Sequence, residues 1–276
     1  MILERIDYSI DNVSQKYIFS INGGYASASY VNHKNHIICF PSSIGCNIGC
    51  QMCYSGQNRS FERLLTKSEM ISIINIIIKL NNLQEQEEKH LLFSCMGTGE
   101  PLNNMFNVMQ TFRILKDLYI DKKLKFAIST TVTSTSRLIS FARLMNNEDI
   151  DVKIQISLHA VNDFMRSKIL SKNIIPLKEI ISATNKIQNE LSSNIEWNYC
   201  LIDGINDDLK YIDELREILP EHQKIKLNHF NSWDGIKFQA STKEKVEKFA
   251  DKLSSFYEVE IYETNGSDIQ GACGQH

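Results

Sequence analysis

Short apolar runs alternate with amphipathic segments from residue 36 onward, and this alternation constrains the fold more than any other feature of the chain. The apolar runs have the length of strands, and the segments between them space their apolar residues as helices do. Such alternation predicts βαβ units and a mainly parallel sheet. Six units are countable, fewer than the eight of a closed barrel, so we predict an open α/β fold, a partial (β/α)6 barrel. The predicted strands cover residues 37–40, 91–96, 125–129, 152–158, 195–202, 224–230 and 259–262.

The helices between these strands have recognisable first residues. Thr66 and Glu69 fit a capping box, in which each side chain accepts a hydrogen bond from the other residue's backbone N–H, and Ser241 begins a second such pattern. Pro176 fits the first turn of a helix that extends to about Leu191.

The first 35 residues follow a different pattern. Apolar and polar residues alternate on both sides of Gly23 and Gly24, which predicts a β-hairpin with a glycine turn. No linker rich in proline, glycine or serine divides the remainder. We therefore predict an N-terminal β-hairpin extension over residues 1–35 and one partial-barrel catalytic domain over residues 36–276.

Charge and hydropathy restrict the location and the partners. The 276 residues carry 30 basic and 33 acidic side chains, a formal net charge of −3, which neither requires nor excludes a nucleic-acid partner. The N-terminus lacks the basic and then apolar layout of a secretory signal, and the apolar run over residues 70–80 is too short to span a bilayer. We expect a cytoplasmic protein with no membrane partner. Seven cysteines, an odd number, argue against a disulfide framework in such a chain.

Three of the cysteines, Cys46, Cys50 and Cys53, form a C-x3-C-x2-C cluster directly after a predicted strand. Three thiolates that lie close in sequence suit a [4Fe–4S] cluster and leave one iron open for a further ligand. Gly45 and Gly49 indicate a loop rather than a core segment. Zinc is the alternative metal because it also binds thiolates, but a structural zinc site takes four ligands and no second cysteine pair follows.

Polar residues and glycines stand at the ends of several other predicted strands. Ligands of parallel α/β folds bind at the carboxyl ends of strands, so these residues are candidates for one shared site. Glycine lets the backbone approach a ligand closely, and a carboxylate can accept a hydrogen bond from an ammonium group. The candidates are Gly99, Glu100, Ser129, Ser157, Leu158, His159 and Asn231.

The cysteine loop resembles that of the radical S-adenosylmethionine (SAM) superfamily. In that superfamily the open iron binds SAM, and an electron from the cluster cleaves it to a 5′-deoxyadenosyl radical. Met52 departs from the aromatic residue that usually precedes the third cysteine, although it can still pack apolar surface over a cluster. Cys39 and the segment from Asp268 to Gln275 narrow the resemblance to the RlmN/Cfr family of radical SAM adenosine methyltransferases. That resemblance covers residues 16–275 and includes Ser42, Ser43, Gly99, Glu100, Pro101, Ser157, Leu158, His159, Ala160, Asn162, Asp163, Asp203, Gly204, Asn206, Asp207 and Asn231.

The resemblance implies a mechanism. A first SAM methylates Cys273, and a second SAM is cleaved on the [4Fe–4S] cluster, so two SAM molecules are used in each turnover. The 5′-deoxyadenosyl radical takes hydrogen from the S-methyl group, and the carbon radical adds to an sp2 carbon of adenine. Cys39 resolves the adduct, which leaves a Cys39–Cys273 disulfide to be reduced. The strand-end residues from Gly99 to Asn231 named above are the expected SAM contacts, and flavodoxin or ferredoxin is the expected kind of reductase.

Two departures from the family leave the substrate open. Only a β segment precedes Cys39, so we expect no N-terminal helical RNA-binding domain of the kind that the family carries. The hairpin segment over residues 25–30 contains no acid where the family has a proton-accepting glutamate, so a water or His33 would have to serve. The first hypothesis is methylation of ribosomal or transfer RNA at adenine C2, with C8 less favoured, and no role for DNA. The alternative keeps the chemistry but acts on a nucleotide, a peptide or a small metabolite. A third hypothesis is a non-catalytic iron–sulfur or zinc protein that binds RNA or senses redox state.

Overall fold

The computed structural model describes residues 1–22, 24–86, 89–190 and 195–276. Gly23 of the predicted turn and Leu191, the expected end of a helix, lie outside the described residues. The strands are Ile2–Tyr8 (β1), Ser14–Ile21 (β2), Gly24–Asn32 (β3), His36–Cys39 (β4), Ser43–Ile44 (β5), Arg63–Leu64 (β6), Leu91–Cys95 (β7), Leu124–Thr130 (β8), Val152–Ser157 (β9), Ile195–Leu201 (β10), Lys224–His229 (β11) and Glu258–Tyr262 (β12). The α-helices are Tyr54–Asn58 (α1), Lys67–Leu80 (α2), Met105–Leu118 (α3), Thr135–Asn147 (α4), Asp163–Ile169 (α5), Leu177–Glu190 (α6), Lys210–Ile218 (α7) and Lys243–Leu253 (α8), and Pro101–Asn104 is a 3-10 helix.

One sheet of ten strands organises the described chain, in the order β1-β2-β3-β4-β7-β8-β9-β10-β11-β12. The strands from β4 onward in this order pair in parallel, while β1, β2 and β3 pair in antiparallel fashion and join the sheet through β4. The predicted α/β fold with a parallel sheet is therefore confirmed. The sheet has β1 and β12 as its edges, and the described residues contain no pairing between them. β5 and β6 form a separate two-stranded pair.

Local hydrogen bonds explain where the helices begin. At α2 the Thr66 side chain accepts from the Glu69 N–H at 3.3 Å, and the Glu69 carboxylate accepts from the Thr66 N–H at 2.9 Å, so the predicted capping box is present. At α8 the prediction is wrong by one residue. Thr242 caps the helix, whereas the Ser241 hydroxyl donates to Asp207 at 2.9 Å. A side chain already bonded to a distant loop cannot also cap its own helix.

The two faces of the parallel sheet differ in polarity. On the outer face the helices pack through side chains such as Ile73 and Ile77, which are fully buried. On β11, Ile225 and Leu227 point into that core, while the intervening Lys226 lines a cavity on the inner face. This period-two alternation directs polar side chains of the parallel strands toward the lumen of the open barrel. The core thus lies between helices and sheet and leaves the inner face for a ligand.

Candidate active site

A cavity of about 810 Å³ occupies the inner face of the sheet. It is lined by alternate residues of the parallel strands, by the loop that contains the clustered cysteines, and by the C-terminal segment. Most of the predicted site residues border it. Those residues are Cys39, Cys46, Cys50, Cys53, Gly99, Glu100, Ser129, Ser157, His159, Asn231 and Cys273. Leu158 is the exception, because its side chain is fully buried in the core.

The loop of the three cysteines is shaped by glycines. Gly45 has φ +69°, and a Cβ there would lie 1.7 Å from the Ser60 carbonyl oxygen, so no other residue fits without moving the loop. A Cβ on Gly56 would lie 2.7 Å from the backbone of Cys50, so this glycine lets α1 pack directly on the loop. The pairing of β5 with β6 brings the two ends of the loop together.

The three thiols lie in a setting that fits a [4Fe–4S] cluster. Backbone N–H groups of Ile48 and Gly49 are directed at the Cys46 sulfur, and N–H groups that follow Cys53 are directed at its sulfur. Burial nevertheless raises the pKa of each thiol, that of Cys46 to about 11. Buried thiols with donors aimed at their sulfurs suit ligation by a cation, which releases the protons. The described residues contain no group of three His, Cys, Asp or Glu side chains converged on a single metal ion.

Glu100 follows β7 and is held rigidly. Its carboxylate accepts from the Leu102 N–H at 3.1 Å and the Thr130 hydroxyl at 2.5 Å through one oxygen. The other oxygen accepts from the Thr131 N–H at 2.9 Å and the Thr131 hydroxyl at 3.0 Å. Burial raises the pKa of Glu100, and these four donors oppose that effect. Because they use the four lone-pair sites of the carboxylate, an incoming ammonium group would have to share an oxygen with them.

The glycines before Glu100 permit a close crossing of two segments. A Cβ on Gly97 would lie 2.9 Å from the backbone carbon of Phe40. Gly99 has φ +104°, and a Cβ there would lie 2.2 Å from the Ser43 hydroxyl oxygen and 2.5 Å from that of Ser42. The end of β7 therefore packs against the chain that leaves β4 for the cysteine loop, which fixes Glu100 beside the three thiols.

The ends of β8, β9 and β10 form a polar wall. The Asn198 amide donates to the Ser129 hydroxyl at 3.3 Å and to Gln155 at 3.2 Å. The side-chain oxygen Oδ1 of Asn198 is buried and has no partner among the described residues. A buried acceptor without a donor is costly, so a ligand with a donor group at this position would be favoured.

His159 follows β9 in the left-handed region, with φ +54°. Its Nδ1 accepts from the Cys200 N–H at 3.0 Å, and its carbonyl accepts from the Asn206 amide at 2.8 Å. Burial and the nearby Arg166 cation lower the pKa of His159 to about 3, so the imidazole is neutral with its proton on Nε2. His159 therefore both borders the cavity and holds the ends of two strands.

Arg166 was not predicted, and it organises the same region. The fully buried guanidinium donates to the carbonyls of Ser157, Thr131 and Ile175 at 2.9 to 3.2 Å. Burial lowers the pKa of Arg166 to about 10, which leaves it charged at neutral pH. Its position within α5 carries no local signal, because the carbonyl acceptors come from three separate segments.

The C-terminal segment is held against the cysteine loop. The Tyr54 N–H donates to the Gly274 carbonyl at 2.8 Å, and the Asn231 amide donates to the Cys273 carbonyl at 3.1 Å. On the other side, Lys16 of β2 donates to the Gln270 carbonyl at 2.7 Å. These contacts direct Cys273 into the cavity, where its side chain is exposed. Asn231 thus bonds the segment that contains Cys273.

Cys39 and Cys273 face the same cavity although 234 positions separate them along the chain (273 − 39). Cys39 pairs with Ser29 on one neighbouring strand and Ser94 on the other, and both hydroxyls hydrogen-bond its sulfur. Burial, and to a smaller extent the charge of Cys273, still raise the pKa of Cys39 to about 12. All seven cysteines are free thiols, so the structure contains no Cys39–Cys273 disulfide and does not support the disulfide that the family resemblance implies.

Two further residues reach the cavity that were not predicted to do so. Cys200 borders it from β10, although its apolar strand suggests only a core role. Lys226 borders it from β11, where its Nζ lies 3.7 Å from the centroid of the Tyr262 ring. The alternation of Lys226 with apolar neighbours was the available signal, since it places the lysine on the face opposite the core.

Comparisons with known proteins agree on one family. A model of the radical SAM superfamily matches residues 40–217. A dual-specificity RNA methyltransferase RlmN of Campylobacter hominis is 30% identical over 99% of this chain and 79% of its own length. The RlmN of Helicobacter hepaticus is 29% identical over 98% of this chain and 76% of its length.

A solved structure shares the fold. The crystal structure of a radical SAM methyltransferase from Sphaerobacter thermophilus superposes with a TM-score of 0.86, covers 99% of this chain and 80% of its own, and is 24% identical. No helix within the described ranges is long and apolar enough to cross a membrane.

Proposed function

Since this chain belongs to the radical SAM superfamily and to its RlmN family of methyltransferases, we propose that it methylates an sp2 carbon of adenine in RNA through Cys273. The observation that supports this most directly is the common cavity of Cys39, Cys273 and the three clustered cysteines. The relatives named above, which are RNA methyltransferases, support RNA as the substrate. C2 is the favoured position and C8 the second.

Cys273 is the proposed methyl acceptor. Its sulfur attacks the methyl carbon of a first SAM, the bond from that carbon to the sulfonium breaks, and S-adenosylhomocysteine leaves. The contacts of Asn231 and Tyr54 with the carbonyls of Cys273 and Gly274 support this role, because they hold the nucleophile in a defined position.

Cys46, Cys50 and Cys53 are the proposed ligands of a [4Fe–4S] cluster. When bound, the cluster supplies the electron that cleaves a second SAM and so generates the radical that activates the S-methyl group. The proposed SAM contacts are Gly99, Glu100, Ser129, Ser157, His159 and Asn231, together with the backbone at Leu158. The unpaired Asn198 oxygen beside Ser129 supports a bound molecule with hydrogen-bond donors at this wall.

Cys39 is the proposed resolving thiol. Its sulfur bonds to the Cys273 sulfur of the covalent adduct, the bond from Cys273 to the transferred carbon breaks with its electron pair on that carbon, and the carbon takes a proton from water to give the methylated product. The Cys39–Cys273 disulfide formed in this step must then be reduced by two electrons before the next turnover, by a protein such as flavodoxin or ferredoxin or by a thiol reductant. The hydroxyls of Ser29 and Ser94 support this role because they stabilise a thiolate at Cys39.

The experiment is to trap the adduct with Cys39→Ala. The variant is expressed with iron–sulfur assembly support and purified, and the Cys273 peptide is analysed by mass spectrometry after nuclease treatment. We expect a nucleotide attached to Cys273, and sequencing of the trapped RNA then names the substrate. Cys95→Ala is the matched control: Cys95 is also buried, but it does not border the cavity, so no adduct should accumulate.

The other outcomes separate the parts of the proposal. S-methyl-Cys273 without a nucleotide would reject RNA and favour a peptide or a small metabolite, whereas a single nucleotide on Cys273 before any nuclease treatment would favour a free nucleotide. An unmodified Cys273, with no 5′-deoxyadenosine formed from SAM by the reduced protein, would reject the radical methyl-transfer mechanism altogether.

A further inference from the structure

Lys226 is a cation inside the cavity that the proposed mechanism does not use. It lies in the middle of β11 on the inner face of the sheet, between Asn198 of β10 and Glu260 of β12 in the strand register. Its ammonium group lies over the Tyr262 ring, with 3.7 Å between Nζ and the ring centroid. Among the described residues it makes no ion pair and no hydrogen bond.

The neighbouring charges leave this cation available. Glu196 of β10 is already paired with Lys153 at 2.7 Å and Lys224 at 2.8 Å. Glu260 of β12 is paired with Lys224 at 3.3 Å. Burial lowers the pKa of Lys226, and apart from the two carboxylates the groups that act on it are Cys273, which raises it, and Lys153, which lowers it.

A thiol inside this cavity needs such a cation. The thiolate is the nucleophile, and desolvation by the surrounding protein raises the pKa of both Cys39 and Cys273. Lys226 is the cation that opposes this effect at both sulfurs, and a charge on Cys273 in turn stabilises the ammonium form of Lys226. The other lysines that border the cavity, such as Lys125 and Lys153, lie toward the opposite ends of their strands.

We propose that Lys226 is a positioning residue for methyl transfer. Its ammonium group pairs with the Cys273 thiolate in the cavity, and it pairs with the Cys39 thiolate when Cys39 resolves the adduct. The inference rests on the proposed function of Cys273. The Cys273 proton leaves to bulk water, and the ammonium group then compensates the negative sulfur. As the sulfur donates its electron pair to the SAM methyl carbon, the C–S bond of SAM breaks with its pair, and neutral S-adenosylhomocysteine and S-methyl-Cys273 result.

The test measures thiolate reactivity and methyl transfer in the same cluster-loaded protein. Alkylation of Cys273 and Cys39 by iodoacetamide is followed by peptide mass spectrometry as a function of pH, and methylation of Cys273 is followed with trideuteromethyl-labelled SAM. For Lys226→Met we expect roughly tenfold slower alkylation and methylation of Cys273 at pH 8, with the pH profile of alkylation displaced upward by about one unit. Lys226→Arg should restore both rates, because it retains the charge.

Lys125→Met is the matched control, since Lys125 borders the same cavity from the start of β8, and it should behave as wild type. Equal rates in wild type and Lys226→Met would overturn the inference, as would a slower rate that Lys226→Arg does not rescue and that leaves the pH profile in place. If wild-type Cys273 is alkylated normally but never methylated, the proposed function fails, while the alkylation profile still decides the role of Lys226.

Discussion

Replacement of Glu100 by glutamine tests the account of the site most directly. Each carboxylate oxygen accepts one backbone N–H and one threonine hydroxyl, from Leu102 and Thr130 at one oxygen and from Thr131 at the other. The glutamine amide must present its NH₂ group to one of these pairs, whichever way it is oriented. A threonine hydroxyl can rotate and accept from the NH₂ group, but a backbone N–H cannot.

The expected loss of stability follows from the hydrogen bonds that the glutamine cannot make. One buried backbone N–H loses its acceptor, which costs about 1–3 kcal/mol, and the remaining hydrogen bonds are weaker because the acceptor is no longer charged. The smaller desolvation cost of a neutral amide offsets part of this loss. We expect Glu100→Gln to lower the free energy of unfolding by about 2–4 kcal/mol and Tm by roughly 4–16 °C.

The assay is urea unfolding of the cluster-free protein, followed by the fluorescence of the buried Trp197. Thr131→Val is the control because it removes one hydroxyl donor and leaves both backbone N–H groups paired, so it should cost only about 1 kcal/mol. A loss below about 0.5 kcal/mol in Glu100→Gln would refute the reasoning. It would mean that Glu100 is protonated in the folded protein and already donates a hydrogen bond as the amide would.

Three further outcomes are expected. Gly45→Ala should reduce the iron content of the reconstituted protein severalfold, because its Cβ would meet the Ser60 carbonyl at 1.7 Å; an unchanged iron content would contradict the loop geometry. Arg166→Met should cost about 2–4 kcal/mol in urea unfolding and weaken SAM binding measured by calorimetry, since it leaves the strand-end carbonyls unpaired; undiminished SAM binding would show that these carbonyls do not shape the site. Arg63 lowers the pKa of Glu69 to about 2 from an ordinary 4.5, so the ionised carboxylate stabilises the fold above pH 4.5 and loses that effect as the pH falls toward 2. Glu69→Gln should therefore be less stable than wild type by about 1 kcal/mol at pH 7, and this difference in the free energy of unfolding should shrink as the pH falls from 4.5 to 2. A difference that does not change with pH would reject the ion pair.

The sequence by itself determined the features that depend on neighbouring residues. Alternation of strand and helix patterns predicted the parallel α/β sheet, because each element forms from hydrogen bonds and apolar periodicity within its own segment. Thr66 and Glu69 lie three positions apart, so their capping box could be read directly. The cysteine loop and the strand-end residues were predictable because carboxyl ends of parallel strands meet at one edge.

Only the tertiary structure decided which distant groups meet. Ser241 has the composition of a helix cap, yet its hydroxyl bonds Asp207, and Thr242 takes the cap. Arg166 reaches carbonyls of three segments, and Lys226 reaches the cavity, only because strands far apart in sequence pair in one register. Such contacts depend on the packing of the sheet and on burial, which set the hydrogen bonds and charges of a residue without leaving a periodic pattern along the chain.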